Sequence, residues 1–146
     1  MTLGREQIEA LVPQRGSMCL LDRVLSWDAD RIVCASASHR RPDNPLRALN
    51  RLHAVAGIEY AAQAVALHGA LAARTGRAIG PGLLASLREV ELRAERLDQV
   101  AGDLLAIAEA LVVERRHMLY AFRVEGDGRI LLKGRAAIAL VAGTDA

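Results

Sequence analysis

Glu59 is the residue of this 146-residue chain with the clearest capacity for chemistry. It stands inside the apolar run Ala54-Val55-Ala56-Gly57-Ile58-Glu59-Tyr60-Ala61-Ala62, where a carboxylate is costly unless it is paired or protonated. Enclosure there would raise its pKa toward the range useful for proton transfer. The alternative is a helix-surface glutamate facing solvent. Gln63 follows four residues later, hence on the same helical face. It could hold the carboxylate in place, or the two could form a solvated pair. His53 lies six residues before Glu59, near the expected helix start. Free backbone N–H groups and the positive dipole end gather there. An acyl carbonyl docked at that end would have its developing negative charge stabilised. His53 could then act as a base beside it, or be an ordinary exposed loop histidine.

Other chemistries find less support. His68 is nine residues beyond Glu59, so it faces another side of the helix and reads as structural. His39 and His117 stand alone, and either could be a surface residue. No His/Cys cluster has metal-ligand spacing, so no metal is expected. Glycine-rich phosphate loops and a Gly-x-Ser-x-Gly elbow are missing, and Ser17 and Ser86 lack an obvious base. Cys19 and Cys34 make no disulfide framework and read as small buried hydrophobes. The net charge of +2 is mild, and four scattered rings (Trp27, Tyr60, Tyr120, Phe122) are a poor platform for nucleic acid. Arg40, Arg41, Arg47 and Arg51 cluster before the helix. They read either as a solvated loop or as a docking patch for an acidic partner or a phosphate.

The elements that must position these residues follow from composition and periodicity. With 52% apolar and 25% charged residues, the chain can build one buried core. No apolar run reaches the roughly 18 residues of a membrane span. Arg5, Glu6 and Glu9 argue against a secretory leader, so the cytoplasm is the expected compartment. Leu52 to Arg74 reads as a long helix, with Asn50 as a possible N-cap and Gly76 as its stop. Its small and apolar residues occur on every side, which predicts a helix wrapped by the rest of the chain. Arg23–Trp27 and Arg31–Ser38 form a predicted hairpin around Asp28-Ala29-Asp30. Val90, Leu92 and Ala94 alternate with Glu89, Glu91, Arg93 and Glu95, so a strand with one wet face is expected despite helical propensity. Leu104–Val113 is apolar on both faces and fits a central strand or a helix. Met118 to Val124 alternates, and Ile130–Val141 reads as its returning hairpin partner. A short helix, two strands, a long helix and three or four strands suggest an α+β single domain. An antiparallel sheet would curl around one helix, the hotdog arrangement. One helix on one sheet leaves an edge and an apolar flank, so a homodimer or higher homo-oligomer is expected.

Two segments carry a family resemblance. Leu11-Val12-Pro13-Gln14-Arg15 with Leu20-Leu21-Asp22-Arg23-Val24 resembles the opening "LPHR…LLDRV" of hotdog-fold 3-hydroxyacyl-acyl-carrier-protein dehydratases. Gly57-Ile58-Glu59-Tyr60-Ala61-Ala62-Gln63-Ala64 resembles their central-helix motif. In its "GIEYxAQA" form it is most similar to the ApeP-like branch, found with aryl-polyene and related lipid pathways. Gly82 to Arg88 is similar to the strand after that helix. The resemblance implies a catalytic glutamate–histidine pair contributed across a dimer, with Glu59 as the glutamate. It also implies a helix-start N–H, on Ala54, that polarises the thioester carbonyl, with Gly57 and Gln63 beside it as substrate-binding positions. The family histidine falls at Pro45 here, and Gln14 replaces the histidine of the opening motif. His53 is the nearest substitute and is inferred, not carried over.

The leading expectation is therefore a 3-hydroxyacyl-thioester dehydratase. Its substrate would be carried on the phosphopantetheine of acyl carrier protein or of CoA, with no metal or redox cofactor. A hotdog thioesterase, in which the helix glutamate activates water or attacks the thioester, is the second. A non-catalytic acyl-thioester-binding subunit is the third.

Overall fold

The structure, a computed structural model, describes residues 2–74 and 82–140. Helix α1 (Arg5–Leu11) opens at Gly4, whose N–H donates to the Gln7 side chain at 2.8 Å. It turns Ile8 into the core and ends where Pro13 follows Val12. The strands are β1 (Arg23–Trp27), β2 (Arg31–Ser36), β3 (Gly82–Leu92), β4 (Leu104–Val113), β5 (His117–Gly126) and β6 (Arg129–Leu140). They form one antiparallel sheet in the order β1-β2-β4-β5-β6-β3. Helix α2 (Gly57–Arg74) lies against its inner face, on β2, β4 and β5. This is the α+β hotdog architecture expected from the element order.

Leu104–Val113 is the central strand β4, because its apolar residues are needed between β2 and β5. The alternation at Val90 and Leu92 prevails over helical propensity, because the wet face finds cross-strand partners. Lys133 Nζ lies 3.3 Å from Glu91 and Arg135 Nε lies 3.6 Å from Glu89. The strand ends at Leu92, short of the expected Glu95, and Glu89 adopts φ 53° where the register shifts. Asp127 and Gly128, at φ 51° and 76°, make the tight turn between β5 and β6.

Three expectations need correction. Asn50 does not cap the helix. Backbone bonds between Ala48 and Arg51 close a turn with Leu49 and Asn50 both at left-handed φ, so helical structure begins only at a 3-10 turn over Ala54–Ala56. His39 is not at the surface. It is fully buried, with Nε2 2.9 Å from the Val100 carbonyl, and burial holds its pKa below the usual histidine value. Helix α2 is not enclosed all round either. Tyr60, Ala64 and Leu67 are buried while Ala66 and Ala73 are exposed, so one side lies open. Gly76, Gly80, Pro81 and Val141 lie outside the described residues.

Cys19 and Cys34 are both buried, and burial pushes the Cys34 thiol up to about 12. Native protein at pH 8 should therefore leave both thiols unreactive toward a small aromatic disulfide, and denaturation should release two. His39 adds a pH effect. The unfolded chain takes up that proton near pH 6.5, and the folded chain does so at lower pH. This stability is complete above that value and is lost as pH falls through it. Denaturant melts between pH 7.5 and 5.5 should show the decline, and His39→Phe should flatten it.

Candidate active site

The open side of α2 faces a groove of about 490 Å³. Its helical wall is Ile58, Glu59, Ala62, Ala66, Gly69 and Ala73, and its sheet wall includes Leu84 and Leu87 of β3, Met118 and Phe122 of β5, and Ile138 of β6. Leu11, Pro13 and Gln14 close a third side. The groove exists because α2 packs toward β2, β4 and β5, away from β6 and β3. The helical wall is made largely of alanine and glycine, and a Cβ added at Gly69 would meet open space.

Glu59 stands in the first turn of α2 and is half-buried, less enclosed than the sequence suggests, because its side of the helix is the open one. Its partner is the expected one. Gln63 Nε2 donates to Glu59 Oε1 at 3.2 Å and to the Met18 carbonyl at 2.8 Å. Gln63 Oε1 accepts the Leu20 N–H at 2.9 Å, and the side chain is almost wholly buried. With both ends of its amide engaged, Gln63 cannot rotate without breaking a buried bond.

Behind Gln63 runs a second set of polar contacts. The Leu20 carbonyl accepts from the hydroxyls of Ser36 and Ser38. Ser38 Oγ lies 2.7 Å from Tyr60 Oη, and Asn44 Nδ2 donates to Tyr60 Oη at 3.0 Å. The loop after β2 is thus tied to the same helix turn that carries Glu59. Asp22 of the Leu-Leu-Asp-Arg-Val segment accepts the Ala37 N–H and the guanidinium groups of Arg5 and Arg41. That segment braces the loops, and so do two of the clustered arginines. Arg41 pairs with Asp22 at 2.6 Å and Arg40 lies 3.9 Å from Asp103.

The other site candidates are placed differently. Ala54 is buried and donates its N–H to the Glu95 carbonyl at 2.9 Å, so that amide is not a free donor for a thioester carbonyl. Gly57 does not line the groove. It lies against the core, where an added Cβ would come within 2.2 Å of Leu132 Cδ2. Its missing side chain thus serves close packing. His53 is exposed, bridges to Arg96 and does not line the groove, so the chain does not bring it to its own Glu59 there. His68 is structural, as expected, with Nδ1 2.6 Å from Tyr120 Oη and Nε2 2.8 Å from the Asp28 carbonyl. No group of three metal-ligating side chains occurs among the described residues. No helix among them is long and apolar enough to cross a membrane. Sequence reasoning missed Asp98, which accepts the Leu52 N–H at 3.0 Å and fixes the approach to the helix. Its hydrogen bond with Arg96 holds its carboxyl well below the usual range. No local pattern advertises that contact.

The model of the ApeP-like family, described as ApeP dehydratase, matches residues 6–143. The chain belongs to the ApeP-like family. No curated protein sequence matches it significantly. Among solved structures it is similar to the dehydratase heterocomplex ApeI:P from Xenorhabdus doucetiae, at 20% identity and TM-score 0.79, covering 94% of this chain and 92% of that one. A mutant thioesterase from Pseudomonas aeruginosa matches at 19% identity and TM-score 0.68, over 93% and 92%. A hypothetical thioesterase with coenzyme A from Streptococcus pneumoniae matches at 13% and 0.60, over 81% and 84%. At these identities the three establish the hotdog fold. In this ApeP-like chain, the family's Glu-x-x-x-Gln pair is Glu59, on the groove wall, and Gln63, buried behind it.

Two substitutions separate packing from site. Gly57→Val should lower stability by about 1–3 kcal/mol through overpacking against Leu132. Gln63→Leu should cost about 2–3 kcal/mol by leaving the Leu20 N–H and Met18 carbonyl unpartnered. Chemical denaturation measures both, and Glu59→Gln serves as a control expected to stay close to wild type.

Proposed function

We propose that this ApeP-like protein is a 3-hydroxyacyl-thioester dehydratase that works as a dimer of hotdog subunits in the cytoplasm. The observation that carries the reading is a carboxylate, held by a buried amide, at the wall of a largely apolar groove. An acyl chain fits such a groove, and a carboxyl group beside it can exchange a proton with the substrate. The substrate arrives on the phosphopantetheine of acyl carrier protein or of CoA. The coenzyme A in the structure of the hypothetical thioesterase from Streptococcus pneumoniae supports that class of carrier.

Elimination of water needs a base for the α-proton and an acid for the departing 3-hydroxyl. The carboxyl group of Glu59 gives a proton to the hydroxyl as the C3–O bond breaks, and water leaves. A histidine takes the α-proton, and the 2,3 double bond forms. The imidazolium then returns a proton to the carboxylate. Proton transfer suffices, so the reading calls for no metal or redox cofactor. The histidine comes from the neighbouring subunit. Strand β3 is a sheet edge with Leu83, Leu84, Leu87 and Leu92 exposed, a surface suited to pairing with another strand. Leu84 and Leu87 also line the groove, so a subunit docked there would reach it. His53 of the partner subunit is the assigned base in a homodimer. The dehydratase heterocomplex among the structural relatives supports a second kind of chain as the partner.

Hydrolysis of the thioester is the second reading. It is favoured by the groove having Glu59 but no histidine among its described lining residues. Products separate the two, since dehydration gives a 2-enoyl thioester and hydrolysis a free thiol.

Glu59→Gln should reduce turnover of 3-hydroxyacyl thioesters by about a hundredfold or more. Mixing Glu59→Gln chains with His53→Ala chains tests the assignment across the interface. In a homodimer, half the sites of each mixed pair are intact, so activity should return to about a quarter of wild type. If mixing restores nothing, His53 is not the partner's base. Full turnover by Glu59→Gln would overturn the whole reading.

A further inference from the structure

Gln14 shares the groove wall with Glu59, and these two are the polar side chains among its described lining residues. The segment that carries it is firmly held. Arg15 Nη1 donates to the Val12 carbonyl at 2.6 Å and also to the Glu9 carbonyl, which ties the turn after α1 back onto that helix. Pro13 fixes the backbone just before it. Yet the Gln14 side-chain oxygen is buried without a hydrogen-bond partner. An amide oxygen in that state is costly to keep, and a turn of the side chain toward the groove would let a ligand's donor relieve the cost. Glu59, by contrast, already takes the Gln63 amide.

We propose that Gln14 is a specificity-determining residue that accepts a hydrogen bond from the 3-hydroxyl of the acyl chain and so separates hydroxylated from saturated thioesters. The inference rests on the dehydratase reading and deepens it. The donors on such a substrate are the 3-hydroxyl and, on the pantetheine arm, two amide N–H groups and a hydroxyl. Only the first differs between a 3-hydroxyacyl and a saturated acyl thioester of equal length. A site built to receive a hydroxyl disfavours the analogue that lacks it, because its own polar atom is then left unpaired. The saturated chain leaves the Gln14 oxygen dry, whereas the hydroxylated chain satisfies it.

The test compares the protein with Gln14→Met, which keeps length and removes the acceptor, using the complete assembly with any partner subunit it requires. The readouts are kcat/KM for a 3-hydroxyacyl thioester and the inhibition constant of the saturated thioester of the same length. Gln14→Met should lower kcat/KM by about tenfold, leave the inhibition constant within about twofold, and so shrink discrimination by about fivefold or more. Gln14→His restores an acceptor nitrogen and should recover most of the discrimination. Melting curves check that each variant is folded, and if Gln14→Met does not fold, Gln14→Leu takes its place.

An equal loss for both thioesters places the contact on the pantetheine arm and overturns the proposal, as does no change for either. Wild-type dehydration with unaltered discrimination in the variants overturns this inference alone. Wild-type protein that neither dehydrates the hydroxylated thioester nor binds the saturated one overturns the dehydratase reading along with it.

Discussion

The amide of Gln63 is the contact on which the rest of the site depends. A primary amide has a donor end and an acceptor end, and here both are used inside the protein. The acceptor end takes the Leu20 N–H, and the donor end serves the Met18 carbonyl and Glu59. The side chain therefore clamps the long helix to the loop ahead of β1 and orients the carboxylate through the same atoms. Loss of either end leaves a buried group unpaired, which costs more than the bond itself contributes. The Ser38, Asn44 and Tyr60 contacts extend the clamp to the loop after β2.

The open side of α2 is the other constraint. A helix wrapped by one six-stranded sheet buries the residues that face β2, β4 and β5 and leaves the opposite stripe to something else. That stripe consists largely of small residues, so the space next to it is a groove and not a filled core. The same geometry leaves β3 at the edge with leucines on its surface. Groove and edge are therefore two consequences of one packing choice, and a second subunit at the edge would also complete the groove.

Much of this was legible from residue types and spacing. The period of two at Val90 and Leu92 identified a strand against its propensity, since a wet face with Glu89 and Glu91 can find cationic partners on the next strand. The i, i+4 spacing of Glu59 and Gln63 identified their contact, since helical geometry alone brings those side chains together. His39 was misread because nothing local marks a lone histidine as buried. Its partner, the Val100 carbonyl, is 61 residues away. Ala54 was misread for the same reason, since the carbonyl that occupies its N–H belongs to Glu95.

Local chain geometry thus decided the elements, their order and the pairing of Glu59 with Gln63, because those follow from periodicities of two and 3.6 residues that any stretch of chain carries within itself. Which backbone amides stay free, which glycine is packed against Leu132, which side of the helix stays open and that the Gln14 oxygen lacks a partner were decided only when distant segments met. Those outcomes depend on occupancy of space by residues far apart in the chain, and no local pattern encodes who arrives there first.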